Sequence, residues 1–321
     1  MTLVLVRTPT YRRPVLLKRA LNCLQAQTHQ DWICEIRDDC PDGSARRIVE
    51  EVNDPRIIYM NNKPQKFMIE NLDACFQREN SHGADYFFML EDDNQVRPDY
   101  MARGIDIIEQ IGVPVCMMNQ VIEDLGASGE DRYSTFGIFD GIYDQKTYSP
   151  TEIRLALFGW TAMPNGSIFW SKNIRRDLAF RIGTVPGIDE DLRAFRLVDP
   201  VYVCLEKLAV WAQDESATNR NLGFDKGRIR REMDMQASAR ALRRAAWRST
   251  PPAMQAEFLN GNVLRVPMDK RIYEMNPAGI RTPGMQAPID LRKKLRQKAV
   301  DYLGRVHPSI RKAESELTTG V

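Results

Sequence analysis

No apolar run in this chain approaches the ~20 residues that a helix needs to cross a bilayer. The longest, Tyr86–Leu90 and Val113–Met118, have the length of buried strands. The six cysteines, Cys23, Cys34, Cys40, Cys75, Cys116 and Cys204, form no CxxC pair and have no zinc-ligand spacing. They argue against a disulfide framework and a structural zinc, and reduced thiols in a cytosolic protein are the simplest expectation. Histidine is scarce: His29, His82 and His307 are scattered and suggest no metal role. The glycine-rich turn of a dinucleotide oxidoreductase is missing, because Thr8-Pro9-Thr10-Tyr11 stands where GxGxxG would be. The same absence weighs against a sugar-nucleotide pyrophosphorylase. There is no internal repeat. Leu3–Val6 opens the chain without a basic region or cleavage site before it, so it reads as a first strand rather than a signal peptide.

What is present suits a globular protein: hydrophobic residues make up 43% and charged residues 27% of 321 positions. The net charge of +2 conceals a division. Residues 1–225 hold 25 Lys/Arg against 34 Asp/Glu, whereas residues 226–321 hold 20 against 9. An acidic body can hold a metal, and a basic tail can meet an anionic partner. A nucleic-acid binder would explain the tail but not the body, and no nucleic-acid partner is expected.

Strand and helix patterns alternate. Leu3–Arg7 is a strand, and from Pro14 the spacing of Leu17, Leu21 and Leu24 is helical. Trp32–Arg37 is a strand ended by the turn-rich Asp38–Gly43. Ser44–Val52 is helical, Arg56–Met60 a strand, Met68–Gln77 helical, and Tyr86–Leu90 a continuous apolar strand. This predicts an α/β fold on a mostly parallel, right-handed sheet. A second region is expected to carry a helix over 100–111, a strand over 113–118, an irregular stretch over 121–150, a strand over Ser167–Trp170, a helix over 187–197 and a strand over Val201–Leu205. Residues 226–248 read as helix, 250–289 as an extended docked segment rich in Pro and Gly, and 290–306 as a basic amphipathic helix. Its expected apolar face is Leu291, Leu295, Tyr302, Leu303 and Val306.

The chemistry concentrates where the apolar Tyr86–Leu90 meets Glu91-Asp92-Asp93-Asn94. In open parallel sheets ligands bind beyond the carboxyl ends of the strands. Several acids there are costly without a cation, and hard oxygen ligands suit Mg²⁺ or Mn²⁺ bridging to a pyrophosphate. Glu91 and Asp93 point to one side of an extended chain. A solvated acidic turn or a helix cap is the alternative.

Together, LVRTPTYRRP (Leu5–Pro14), Gln25-Ala26-Gln27-Thr28, Asp38-Asp39, LEDDNQVRP (Leu90–Pro98) and DEDLRAFR (Asp189–Arg196) resemble a family 2 inverting glycosyltransferase with a GT-A fold, over about residues 2–220. The resemblance implies a catalytic domain over 1–224, with a nucleotide-sugar half (1–99) and an acceptor half (100–224), followed by a helical extension (225–321). It implies that Thr8, Pro9, Thr10 and Tyr11 line the nucleotide pocket, with Tyr11 or a neighbour against the base. Asp38 or Asp39 would accept from a uracil-like N–H, which a carboxylate does well. Asp92 would join the donor site, and Glu91 and Asp93 would match the metal-binding DxD. A Glu-Asp pair supplies the family's general base, which takes the acceptor's proton. Matching that pair directly gives Asp191, the preferred base, whereas counting back from Arg196 gives Glu190 as the alternative. The sequence departs from the family in having Glu91 for the commoner Asp and Glu70-Asn71 for Arg-Asn. It also lacks a histidine near Trp211-Ala212-Gln213-Asp214, where Gln213, Asp214 or water would substitute. On the acceptor side, expected within 121–165, Trp160 and Asn165 are candidates, with Tyr133 beside them.

The implied activity is metal-dependent, inverting transfer from a nucleotide diphosphate sugar, UDP-sugar favoured, to a glycan or lipid-linked hydroxyl in surface polysaccharide or glycoconjugate synthesis. A sugar-nucleotide-binding protein without transfer, or a nucleotidyltransferase of similar fold, is the alternative. The expected location is cytoplasmic, with the basic tail either at the inner face of a membrane or packed back on the catalytic domain.

Overall fold

The computed structural model describes residues 2–159, 162–181, 183–213, 226–280 and 291–319. Val4–Thr10 (β1) is buried on both faces, as a central strand between parallel neighbours has to be. Pro14–Gln25 (α1) follows, with proline in its first turn and Leu17, Ala20, Leu21 and Leu24 facing the sheet. Trp32–Asp38 (β2), Arg46–Val52 (α2), Ile57–Asn61 (β3), Phe67–Cys75 (α3) and Tyr86–Met89 (β4) complete a parallel half ordered β3-β2-β1-β4. Arg7, inside this half, is fully enclosed but satisfied. It meets Glu35 at 3.0 Å and the carbonyls of Gln77 and Glu79, so a buried charge ties the chain after α3 to the sheet.

The second half is mixed rather than parallel. Gln95–Val96 (β5) leads into Tyr100–Ile111 (α4), which Gly112 closes in the left-handed conformation at φ 74°. Gly104 lets α4 lie flat on the sheet, since a Cβ there would stand 2.6 Å from Met118 and 2.8 Å from Phe169. Val115–Asp124 (β6), Tyr133–Gly137 (β7), Thr147–Tyr148 (β8), Pro150–Leu155 (α5), Ile168–Ser171 (β9), Asp189–Arg196 (α6) and Val201–Gln213 (β10) extend the order to β4-β9-β6-β10-β5. Here β9 runs antiparallel to β4 and β6, whereas β6 and β10 are parallel. The stretch 121–150 is therefore not irregular, because β6 reaches Asp124 and two short strands follow. The strand expected to end at Leu205 runs on to Gln213. Register shifts around Lys207 break its alternation, and the charged Glu206-Lys207 disguises it.

The extension consists of Lys226–Ser249 (α7), Pro252–Asn260 (α8), Met268–Met275 (α9), Leu291–Leu303 (α10) and Pro308–Thr319 (α11). Residues 250–280 are thus largely helical rather than extended. Pro251, Pro252 and Pro267 start helices, where a missing N–H costs nothing, instead of breaking them. Most of the expected apolar face is turned outward: Leu291, Leu295, Tyr302 and Leu303 are exposed, whereas Val306 packs on the core and Val300 packs against Met233 and Ala237. Leu242, Ala246, Phe258, Leu264, Met275 and Ile310 of the extension belong to the same core as the sheet. No helix among the described residues is long and apolar enough to cross a membrane.

Candidate active site

Because β1, β2 and β4 are parallel neighbours, Thr10, Asp38 and Leu90 finish at one edge. There Thr10 Oγ1 donates to Asp92 Oδ2 at 2.7 Å, and Arg13 reaches Asp92 at 3.3 Å and Asp93 at 2.5 Å. Arg19 caps the turn through the Asp93 carbonyl at 2.7 Å. Asn94 donates to Glu91 Oε2 at 2.7 Å and accepts from Ala212 N at 2.9 Å, linking the acids to β10.

Glu91 stands among like charges. Burial, then Asp93, Glu190, Asp92 and Asp189, push its carboxyl up to about 8. Asp92 rises to about 6, chiefly by burial, against the pull of Thr10 and Arg13. This surplus of negative charge fits a divalent cation held by Glu91 and Asp93, with a diphosphate supplying further oxygens. Among the described residues no group of three or more His, Cys, Asp or Glu side chains is disposed to hold an ion by itself. His29, His82 and His307 engage Thr2, Glu35 and Ser309, away from the cluster.

The α6 acids meet this edge through the Pro164–Ser167 turn. Asn165 N donates to Glu190 Oε1 at 2.8 Å, and its side chain donates to Asp189 at 2.9 Å. Gly166 leaves so little room that a Cβ would lie 3.0 Å from Gln120 and 3.8 Å from Glu91 Oε2. Glu190 is open to a cavity yet ringed by protein, and this desolvation lifts it to about 7, helped by Asp189 and Asp191. Asp191 also rises, to about 6, by burial, but the guanidinium of Arg243 opposes the rise. Both acids line one cavity; Glu190 is among the charges that raise Glu91, whereas Asp191 feels Arg243 and Glu274.

Other expected donor residues are placed unevenly. Thr8 is fully enclosed, its hydroxyl 3.6 Å from Cys34 Sγ. Pro9 is partly exposed and Tyr11 is exposed, with Arg12 over its ring. Asp38 is fully buried and accepts from Cys40 N, Ala45 N and Tyr59, which makes it a turn anchor. Asp39 accepts from Lys66 N, Phe67 N and Asn62, holding the loop before α3. Asn165 is buried and braces α6, its side chain bonded to Asp189 and Arg193. Glu70 and Gln213 are exposed, and Tyr133 donates to Glu123. Trp160 and Asp214 lie outside the described residues.

Two arginines escaped the sequence reading. Arg13 is the cation on Asp92 and Asp93, and it stands inside the quoted LVRTPTYRRP segment. Arg193 is buried against the Phe76 ring, 3.5 Å from its centroid, and reaches Asp73 at 3.7 Å, which fixes the base of α6. Its position three residues before Arg196 was the available signal.

The family model described as glycosyl transferase family 2 matches residues 6–168. Among solved structures, S. aureus TarS is similar over 99% of this chain and 53% of its own, with a TM-score of 0.54 and 11% identity. The chain thus spans about half the length of that protein. The S. aureus TarS 1-349 complex with UDP-GlcNAc is similar over 100% of this chain and 92% of its own, again with a TM-score of 0.54 and 11% identity. No curated protein matches. The family match takes in most of β1, the Glu91 group and the Pro164–Ser167 turn, and by it the chain belongs to glycosyl transferase family 2.

Proposed function

We propose that this chain is a metal-dependent, inverting glycosyltransferase that moves a hexosyl group from a nucleoside diphosphate sugar, UDP-sugar favoured, to a hydroxyl. The observation that carries the reading is the meeting of Glu190 with the Glu91 group across the Asn165-Gly166 turn. A proton acceptor and a cation-binding centre then face one point. The UDP-GlcNAc complex of TarS 1-349, on a similar fold, supports the donor class. Tyr11 offers a stacking face, and Asp39 borders the base pocket through the loop it holds.

A divalent cation on Glu91 and Asp93 would neutralise the diphosphate as it leaves. The chain's own residues do the rest. Arg13 holds Asp92 and Asp93 in place, and its guanidinium suits phosphate oxygens once Asp93 turns to the cation. Glu190 takes the proton of the acceptor hydroxyl. The acceptor oxygen forms a bond to the anomeric carbon as the bond to the diphosphate breaks, and that electron pair leaves with the diphosphate. Attack from the side opposite the leaving group inverts the centre. Of the two acids, Glu190 is the better placed base because it flanks Glu91, and Asp191 tunes it. The product would enter a glycan or glycoconjugate.

The test is calorimetric titration of UDP-sugars with and without Mn²⁺, followed by product NMR. Wild type is expected to bind donor only with metal, and Asp93→Ala to lose that binding while keeping its melting temperature. Equal donor binding by Asp93→Ala in Mn²⁺ would remove the metal site, and a retained anomer in the first product would remove inversion.

A further inference from the structure

A cavity of about 530 Å³ lies between the first turn of α6 and the helices of the extension. That is the size of a site for a small molecule or the end of a longer one. Glu190 and Asp191 line one side. Arg240 and Arg243 of α7, Tyr273 of α9 and Arg296 of α10 line the other. The acceptor side expected within 121–165 is thus complemented by a wall from the basic tail.

We propose that this cavity is the acceptor site, and that it takes a hydroxyl-bearing acceptor carrying an anionic group, with the hydroxyl at Glu190 and the anion at Arg240 and Arg296. The inference rests on the reading of Glu190 as the base of transfer.

The three arginines are not equally committed. Arg243 bonds the Leu157 carbonyl at 2.8 Å and Glu274 at 2.7 Å, with both side chains largely enclosed. It sets the field at Asp191 and is not available. Arg240, whose side chain is 8% exposed, reaches the Gln297 carbonyl at 3.4 Å and pairs with Asp301, which is 72% exposed; Arg296, 56% exposed, pairs with Glu232, which is 40% exposed. Such solvated partners hold a guanidinium weakly and exchange readily for a ligand anion. Two guanidinium groups from different helices then offer paired donors that match phosphate or carboxylate geometry.

The acids at the opposite side repel an anion. A ligand charged at one end is therefore oriented, with its uncharged hydroxyl end toward Glu190. Tyr273 is half exposed between the two poles and presents a ring on which a sugar face can lie. A phosphate on a lipid-linked sugar, a phosphate on a free sugar and a carboxylate on a uronic acid share this chemistry.

The full chain, saturated with UDP and Mn²⁺ so that the donor site is filled, is titrated with a hexose 1-phosphate, a hexuronate, a prenyl diphosphate sugar in detergent and an uncharged methyl hexoside. At least one charged probe is expected to bind ten times or more tightly than the methyl hexoside. Which charged probe binds best names the source of the anion. Arg296→Gln and Arg240→Gln should each remove about tenfold of that preference, the scale of one charge-assisted contact, with UDP affinity unchanged. Tyr273→Ala should weaken charged and uncharged sugars alike. Equal binding of charged and uncharged probes, or a preference that survives both arginine changes, overturns the proposal. If UDP fails to bind, the transfer reading falls, and the same titrations without UDP still measure the anion preference of the cavity.

Discussion

Asp38-Asp39 and Glu91-Asp92-Asp93 stand at the carboxyl ends of the two strands that flank β1, and they use their lone pairs in opposite ways. Asp38 and Asp39 each accept three hydrogen bonds from the chain, most of them from backbone N–H groups of the loops they close. Glu91, among the described residues, accepts from Asn94 and otherwise faces other acids. Adjacent acids at a strand end therefore carry no single meaning. Where backbone donors saturate them they hold loops, and where like charges crowd them, as at Glu91, the carboxyl is pushed up.

Stability measurements give the largest expected contrast. Asp38→Ala leaves the N–H groups of Cys40 and Ala45 buried without an acceptor, at about 1–3 kcal/mol each. Chemical denaturation should show a loss of about 3 kcal/mol or more. If Asp38→Ala instead keeps wild-type stability and loses nucleotide affinity, the anchor and ligand roles are reversed.

Turnover gives the next contrast. Glu190→Gln keeps the acceptor oxygen for Asn165 N but cannot take a proton. Donor affinity should hold while kcat falls about a hundredfold or more, the usual scale for a positioned base. Full activity in this variant would move the base to Asp191 or away from α6.

A smaller effect separates the clusters by sign. Glu91→Gln removes one of several crowded charges and retains an oxygen for Asn94. Without metal, the variant should resist chemical denaturation at pH 8 better than wild type, by about 1 kcal/mol or more, the scale of one pKa unit of relieved repulsion. In Mn²⁺ the order should reverse, because the variant has lost a ligand. A metal-free variant less stable than wild type would mean that Glu91 is already compensated.

These contrasts follow the limits of what the sequence discloses. The parallel half was legible because each buried strand is an unbroken apolar run and each helix repeats its leucines on one side, as Leu17, Leu21 and Leu24 do. The Glu91 group was legible because three acids after Tyr86–Leu90 have few structural explanations. The roles of Thr8, Asp38 and Asn165 were not, since each depends on partners distant in the chain, Cys34, Tyr59 and Asp189. β10 was cut short by Glu206-Lys207, whose charges sit on a bulge. The surplus of positive charge in the tail does not disclose how its arginines divide: Arg243 is locked on Glu274, whereas the acidic partners of Arg240 and Arg296 are solvated. Only packing distinguishes them.

The smallest expected effect concerns how the α6 acids share their field. Burial raises Glu190 to about 7, and the negative charge of Asp191 contributes to the rise. A base works only when deprotonated, so kcat should fall as pH drops through about 7 and level off above it. Asp191→Asn takes away a negative neighbour at nearly constant shape. Ionisation of Glu190 then becomes easier, its carboxyl titrates lower, and the acid limb of the profile should move down by a fraction of a pH unit. At pH 8, where Glu190 is ionised in both proteins, kcat should stay within severalfold of wild type. If Asp191 were the base, the limb would not shift, because activity would be lost at every pH. A profile of kcat from pH 5.5 to 8.5 on the two proteins, with donor saturating, separates these outcomes.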